Sequence, residues 1–117
     1  MTRLRSDFWV AAHLRRCAVE GLDAVLRRRG AAEAGAIFVS VDRLDGTVDL
    51  YGPAPQSFLT GEELDRLFAR VLELAPGADV EARMARELRY DPDLWWITID
   101  DRQGRSLLGL AGRAAAR

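Results

Sequence analysis

The dipeptide Asp45-Gly46 stands between two runs of β-forming residues, Ile37-Phe38-Val39-Ser40-Val41 and Thr47-Val48-Asp49-Leu50-Tyr51. Aspartate-glycine between such runs is among the strongest short-range signals for a hairpin, because glycine supplies the positive φ that a tight reversal needs. The first run is β-branched and aromatic and opens on Gly35, as a strand does. In the second, Val48 and Leu50 alternate with Thr47, Asp49 and Tyr51, so one face is apolar and the other more polar. Pro53 and Pro55 end it, because proline cannot donate to a ladder. The chain is thereby committed to an antiparallel sheet.

The flanking segments are read from periodicity and punctuation. Ser6 is a good N-cap residue, and Asp7 follows in the first turn, where a negative charge suits the helix dipole. Val10, Leu14, Cys17 and Ala18 recur at helical spacing, and Gly21 suits a C-terminal stop. These signals predict a helix over Asp7–Glu20. Leu22 to Arg29 is read as a strand with glycine beyond each end, the alternative being a helix that continues through Gly21 at about 1 kcal/mol. Thr60-Gly61-Glu62-Glu63 has the form of a capping box. Leu64, Leu67, Phe68, Val71 and Leu72 follow at helical spacing, so residues 61–75 are predicted helical; the competing reading is a third meander strand around Arg66–Leu72. Asp79 opens another helix, with Val80, Met84, Ala85 and Leu88 inward, and it stops before Pro92. Leu94-Trp95-Trp96-Ile97-Thr98-Ile99 is the last clear strand. Asp100 to Gly104 forms a turn, and Arg105 to Leu110 is expected to pair back onto that strand. The tail, Ala111 to Arg117, is expected to fray.

Bulk properties fit one globular domain across the 117 residues, with 49% hydrophobic and 30% charged residues. A chain of this length buries about 65% of its unfolded surface and needs no disulfide or metal. Cys17 is the only cysteine, which suits a reducing compartment, and within a helical pattern it reads as a small buried hydrophobe. No apolar run approaches the length of a membrane span, and the basic N-terminus is followed by an interrupted, amphipathic stretch rather than a signal-peptide core. A cytoplasmic location is expected. The 17 basic residues, all arginine, nearly balance 18 acidic ones, which argues against a dedicated nucleic-acid binder.

Several segments, taken in order, resemble a bacterial family known only as domain of unknown function 1491. They are Arg3-Leu4-Arg5-Ser6-Asp7-Phe8-Trp9-Val10, Ala34-Gly35-Ala36-Ile37, Arg43-Leu44-Asp45-Gly46-Thr47, Leu50-Tyr51-Gly52-Pro53-Ala54-Pro55, Arg89-Tyr90-Asp91-Pro92-Asp93-Leu94-Trp95 and Asp100-Asp101-Arg102-Gln103-Gly104-Arg105. The resemblance implies a family and no chemistry. It is poorest over Gln56 to Val80, and it supports the strand reading of residues 22–29.

The constellations that could carry chemistry are few. Asp91, Asp93, Asp100 and Asp101 could hold Mg²⁺ at a strand end, but aspartate and proline are also ordinary turn residues, and the chain has no lysine to orient an attacking water. Arg3, Arg5, Arg15, Arg16 and Arg27 to Arg29 could meet phosphate, or could instead be the solvated charges of an edge strand. His13, the only histidine, reads as a surface or half-buried helix residue. Trp95 and Trp96 must point to opposite faces of a strand, so one enters the core and the other needs a covering element or a partner. No phosphate loop, zinc spacing or nucleophile elbow is present.

These readings predict an α+β fold, an antiparallel β-meander with helices packed on one face. They name no catalytic, cofactor-binding or metal-binding residue. The expected role is a non-enzymatic interaction module whose partner is a second copy or another protein, with Trp95, Trp96, Arg89, Asp91 and Asp93 as the candidate surface. A nucleic-acid-binding or nuclease-like protein, built on the arginines and the strand-end carboxylates, is the less favoured alternative. No cofactor and no membrane partner are expected.

Overall fold

The structure is a computed structural model, and it describes residues 4–55 and 66–110. In chain order the elements are α1 (Ser6–Val19), β1 (Asp23–Arg28), β2 (Ile37–Asp42), β3 (Thr47–Pro53), β4 (Phe68–Pro76), α2 (Gly77–Tyr90) and β5 (Trp95–Asp100). The strands form one sheet in the order β1-β5-β2-β3-β4.

Helix α1 ends as its sequence requires. Gly21 takes φ 80°, its N–H reaches Ala18 O at 3.1 Å, and the Leu22 N–H reaches Cys17 O at 2.8 Å. This pair of bonds satisfies the last carbonyls and turns the buried Leu22 into the core. The other end differs from expectation. Ser6 lies inside the first turn, makes no cap bond to the helix, and instead donates its hydroxyl to Gly35 O at 2.7 Å.

The hairpin of β2 and β3 forms as expected, with Val39 opposite Tyr51 and Asp42 opposite Val48. Gly46 adopts φ 93°. Asp45 Oδ1 accepts from the Thr47 N–H at 2.9 Å and from its hydroxyl at 2.6 Å. Residues 23–28 are the expected strand.

The helix predicted over residues 61–75 is corrected. Residues 68–76 form β4, antiparallel to β3, close to the competing meander-strand reading; residues 61–65, with the capping-box residues Thr60 to Glu63, lie outside the described residues. The reason for the misleading period is visible in the ladder. Between Val48 and Tyr51 on β3, β4 runs from Ala75 to Arg70 and so carries two extra residues. A bulge puts neighbouring side chains on one side. Val71 and Leu72 therefore both pack beneath α2 while Phe68 faces α1, and a bulged strand reproduces helical spacing.

The sheet is also not a simple meander. β5 enters between β1 and β2, antiparallel to β1 and parallel to β2. Nor do the helices share a face. Val10 and Cys17 of α1 pack with Ile37, Val39, Val41, Tyr51, Phe68, Trp95, Ile97 and Ile99. Val80 and Met84 of α2 pack with Phe38, Val48, Leu50, Ala75, Leu94 and Trp96. The fold is α+β with a helix on each side of the sheet. The near-continuous burial of β2 and β5 follows, since a strand covered on both faces needs apolar side chains on both.

Residues 105–110 do not pair with β5. Leu107, Leu108 and Leu110 pack on the α1 side of the core, and Leu110 bridges Phe68 at the start of β4. The tail beyond Leu110 lies outside the described residues.

Candidate functional site

The five residues of the expected interaction surface do not form one surface. Trp95 is 1% exposed and Trp96 is 5% exposed, so the expectation of an outward tryptophan is corrected. Each indole is covered because each face has its own helix. The Trp95 ring donates to Ala31 O at 2.8 Å and the Trp96 ring to Ser40 Oγ at 3.0 Å. Arg89 is exposed beyond the end of α2's buried stripe. Asp91 accepts from the Asp93 N–H at 3.1 Å, and Asp93 O accepts from the Ala31 N–H at 2.8 Å. Residues 91–93 are thus a helix-to-strand corner held by its own hydrogen bonds, as aspartate-rich turns are. Among the described residues no three His, Cys, Asp or Glu side chains come together to hold a metal ion, so Asp91, Asp93 and Asp100 do not converge.

The arginines are drawn into the fold in a way that sequence did not show. Arg27 lies over the Trp96 ring, 3.9 Å from its centroid, while its guanidinium grips Glu81 with two bonds of 2.6 and 2.7 Å. Arg28 donates to Pro92 O at 2.6 Å. Arg29 lies 5.4 Å from the Trp95 ring. Arg5 pairs with Asp7, and Arg16 donates to Leu107 O. Cation–ring contact and ion pairing give these side chains local jobs, and Arg3 lies outside the described residues.

What remains open is the sheet edge at β1. Among the described residues this strand hydrogen-bonds to β5 alone, and its side chains alternate exposed and half-buried. Asp23, Val25 and Arg27 are the exposed set, with Val25 at 60%. The other edge, β4, is obstructed by its two bulges, by Leu74 at φ 50° and by the Leu110 bridge. A shallow recess of about 360 Å³ adjoins β1 on the α2 side, lined by Arg27, Ser40, Asp42, Glu81, Thr98 and Asp100. The register sets Asp23 opposite Asp100, and Asp100 opposite Asp42. Three carboxylates in a row across adjacent strands repel one another. Among the described residues Asp42 accepts the Leu44 N–H, and no cation pairs with Asp23 or Asp100. Sequence alone does not show this row, because it depends on β5 lying between β1 and β2.

A second concavity, of about 470 Å³, lies between α1 and residues 107–109, and Trp9, His13 and Arg16 line it. His13 is 2% exposed, more deeply buried than expected. Its ring stacks on Trp9 at 4.6 Å, and Nε2 lies 3.0 Å from Ser106 O. A carbonyl accepts, so Nε2 carries the proton. Burial, with the Arg16 cation nearby, pushes the imidazole from 6.5 down to about 4. The unfolded chain therefore binds a proton between these two values that the folded chain refuses, and stability falls as the pH drops through that window. The expected loss is about 3 kcal/mol at most. Urea titrations from pH 7 to 4 check it: a His13→Gln variant should lose stability less steeply than the parent, and parallel profiles would show that His13 does not titrate as described. Cys17, one turn further along, is fully buried, and burial raises its thiol pKa, which fits an inert core residue.

The family described as "Protein of unknown function (DUF1491)" matches residues 4–109 of the chain. The chain belongs to the DUF1491 family. Solved structures agree. The solution structure of protein Atu0922 from A. tumefaciens is 40% identical with a TM-score of 0.79, over 93% of this chain and 95% of that one. The crystal structure of a DUF1491 family protein from Caulobacter crescentus is 33% identical with a TM-score of 0.76, over 95% and 100%. An NMR structure of a DUF1491 family protein from the same organism is 36% identical with a TM-score of 0.74, over 95% and 97%. No curated protein matches the chain. Membership of DUF1491 accounts for the ordered segments seen in the sequence and assigns no activity. No helix among the described residues is long and apolar enough to cross a membrane.

Proposed function

We propose that this DUF1491 protein is a non-enzymatic interaction module of the bacterial cytoplasm that works through the open edge at β1. The observation that carries this reading is Val25, 60% exposed on an edge strand while the opposite edge is obstructed. An unpaired edge offers a row of backbone donors and acceptors to another strand, and recognition by strand addition uses that row for affinity and alternate side chains for specificity. The bacterial sources of the related structures and a single, buried, unpaired thiol support the location.

The test is site-specific cross-linking in bacterial cells. A photoreactive residue at Val25 should give a discrete adduct. The same residue at Leu74, which is 50% exposed on β4 at the opposite edge of the sheet, should give none. Absence of any adduct at position 25 would overturn the reading.

A further inference from the structure

Resting on that reading, we infer that the occupant of the β1 edge is a second copy of this chain, paired antiparallel about a twofold axis through Val25. An axis perpendicular to the sheet keeps each side chain on its own face, so residues that meet must be separated by an even number of positions. With the axis on Val25, Val25 meets its own copy, Ala24 meets Leu26, and Asp23 meets Arg27 on both sides of the axis. Each contact is apolar on apolar or opposite charge on opposite charge. Moving the axis to Ala24 sets Asp23 against Val25 and Arg27 against Gly21. Moving it to Leu26 sets Val25 against Arg27 and Ala24 against Arg28. Of these three registers only the first is self-complementary, which is what an isologous contact requires.

Two features of the fold support this register. Asp23 faces Asp100 within its own sheet and has no hydrogen-bond or ion-pair partner among the described residues. A second copy brings Arg27 to that carboxylate. Arg27 is half-exposed although it already holds Glu81, and a guanidinium has donors enough to share between two carboxylates. The other feature is the irregularity between Leu26 and Arg28, where Arg27 and Arg28 together oppose Trp96. A bulge there ends the ladder just past Arg27 and stops the two strands from sliding.

The experiment is sedimentation equilibrium on the full chain over a concentration series, with Asp23→Arg and Arg27→Glu variants alone and mixed. The wild-type protein should dimerise. Asp23→Arg alone sets the introduced arginine against Arg27 twice, and Arg27→Glu alone sets the introduced glutamate against Asp23 twice. Each variant should therefore dimerise about tenfold more weakly. In an equimolar mixture the heterodimer sets the introduced arginine against the introduced glutamate at one contact and Arg27 of one copy against Asp23 of the other at the second, so the mixture should associate more tightly than either variant alone and approach the wild-type affinity. The double variant Asp23→Arg with Arg27→Glu swaps the charges within one chain, restores both opposite-charge pairs and should recover the wild-type affinity. Asp23→Arg removes no contact of the fold and places an arginine beside Asp100, so it carries the test by itself if the variants at position 27 fail to fold. Unchanged dimerisation of Asp23→Arg, or a folded double variant that does not associate, overturns the inference. A strictly monomeric wild type with a persistent Val25 adduct in cells overturns the second copy and leaves the edge reading standing. Loss of both signals overturns both.

Discussion

Replacing Asp49 with alanine is expected to lower stability by about 3 kcal/mol, although no ligand or partner is involved. Asp49 is fully buried. One oxygen accepts the Leu74 N–H at 2.7 Å, and the other accepts Arg43 Nε and Nη2 at 3.0 and 2.8 Å. Leu74 is the residue of β4 at φ 50°, a conformation that a leucine holds only when its surroundings impose it. Deleting the carboxylate leaves a strained, unpaired N–H and a partly buried guanidinium without its anion. Removing one partner of such a pair is more damaging than removing both. The double variant Arg43→Met with Asp49→Leu should therefore recover part of the loss. Urea unfolding with an unchanged slope measures both. A single-variant loss below about 1 kcal/mol would show that the carboxylate does not hold the bulge.

Replacing Trp95 with alanine is expected to cost about 4 kcal/mol, in the range for emptying an aromatic site in a core. The ring is 1% exposed, packs among Val39, Ile97 and the α1 residues, and donates to Ala31 O. The substitution opens a cavity and also strips a donor from a loop carbonyl. Trp95→Phe keeps most of the ring and loses only the N–H, so its loss should be about 1–2 kcal/mol. Thermal and urea unfolding give these values. The same pair of variants separates a core tryptophan from an interface one: a Trp95→Ala protein that unfolds like its parent but associates less would restore Trp95 to the interaction surface.

Much of the fold could be read from particular residues. Asp45-Gly46 announces the hairpin, and Gly21 announces the end of α1. The spacing of Val80, Met84 and Leu88 announces the inward stripe of α2, while Ala85, read with them, is exposed; the two glycines and that stripe stand in place. The candidate surface was legible only in part. The sequence shows that Trp95 and Trp96 point apart, but not that a helix waits on each side. It shows Arg27 to Arg29 as a charge run, but not that Arg27 lies on Trp96 and Arg29 on Trp95. From sequence His13 reads as a surface or half-buried helix residue, because the segment that buries it, around Ser106, lies far along the chain.

By itself the sequence determined the element types wherever local chemistry is decisive: turns that need a positive φ, helix ends, and runs too β-branched to be helical. It also determined the family, through short segments kept in order. Only the tertiary structure decided that β5 lies between β1 and β2, that the helices take opposite faces, and that residues 68–76 are a strand. Those outcomes depend on which backbone groups find partners across long separations, and a bulged strand mimics a helix until its neighbour in the ladder is known. The open edge at β1, with Asp23, Val25 and Arg27 along it, belongs to this second group. It exists because β5 pairs with one side of β1 and, among the described residues, no strand pairs with the other.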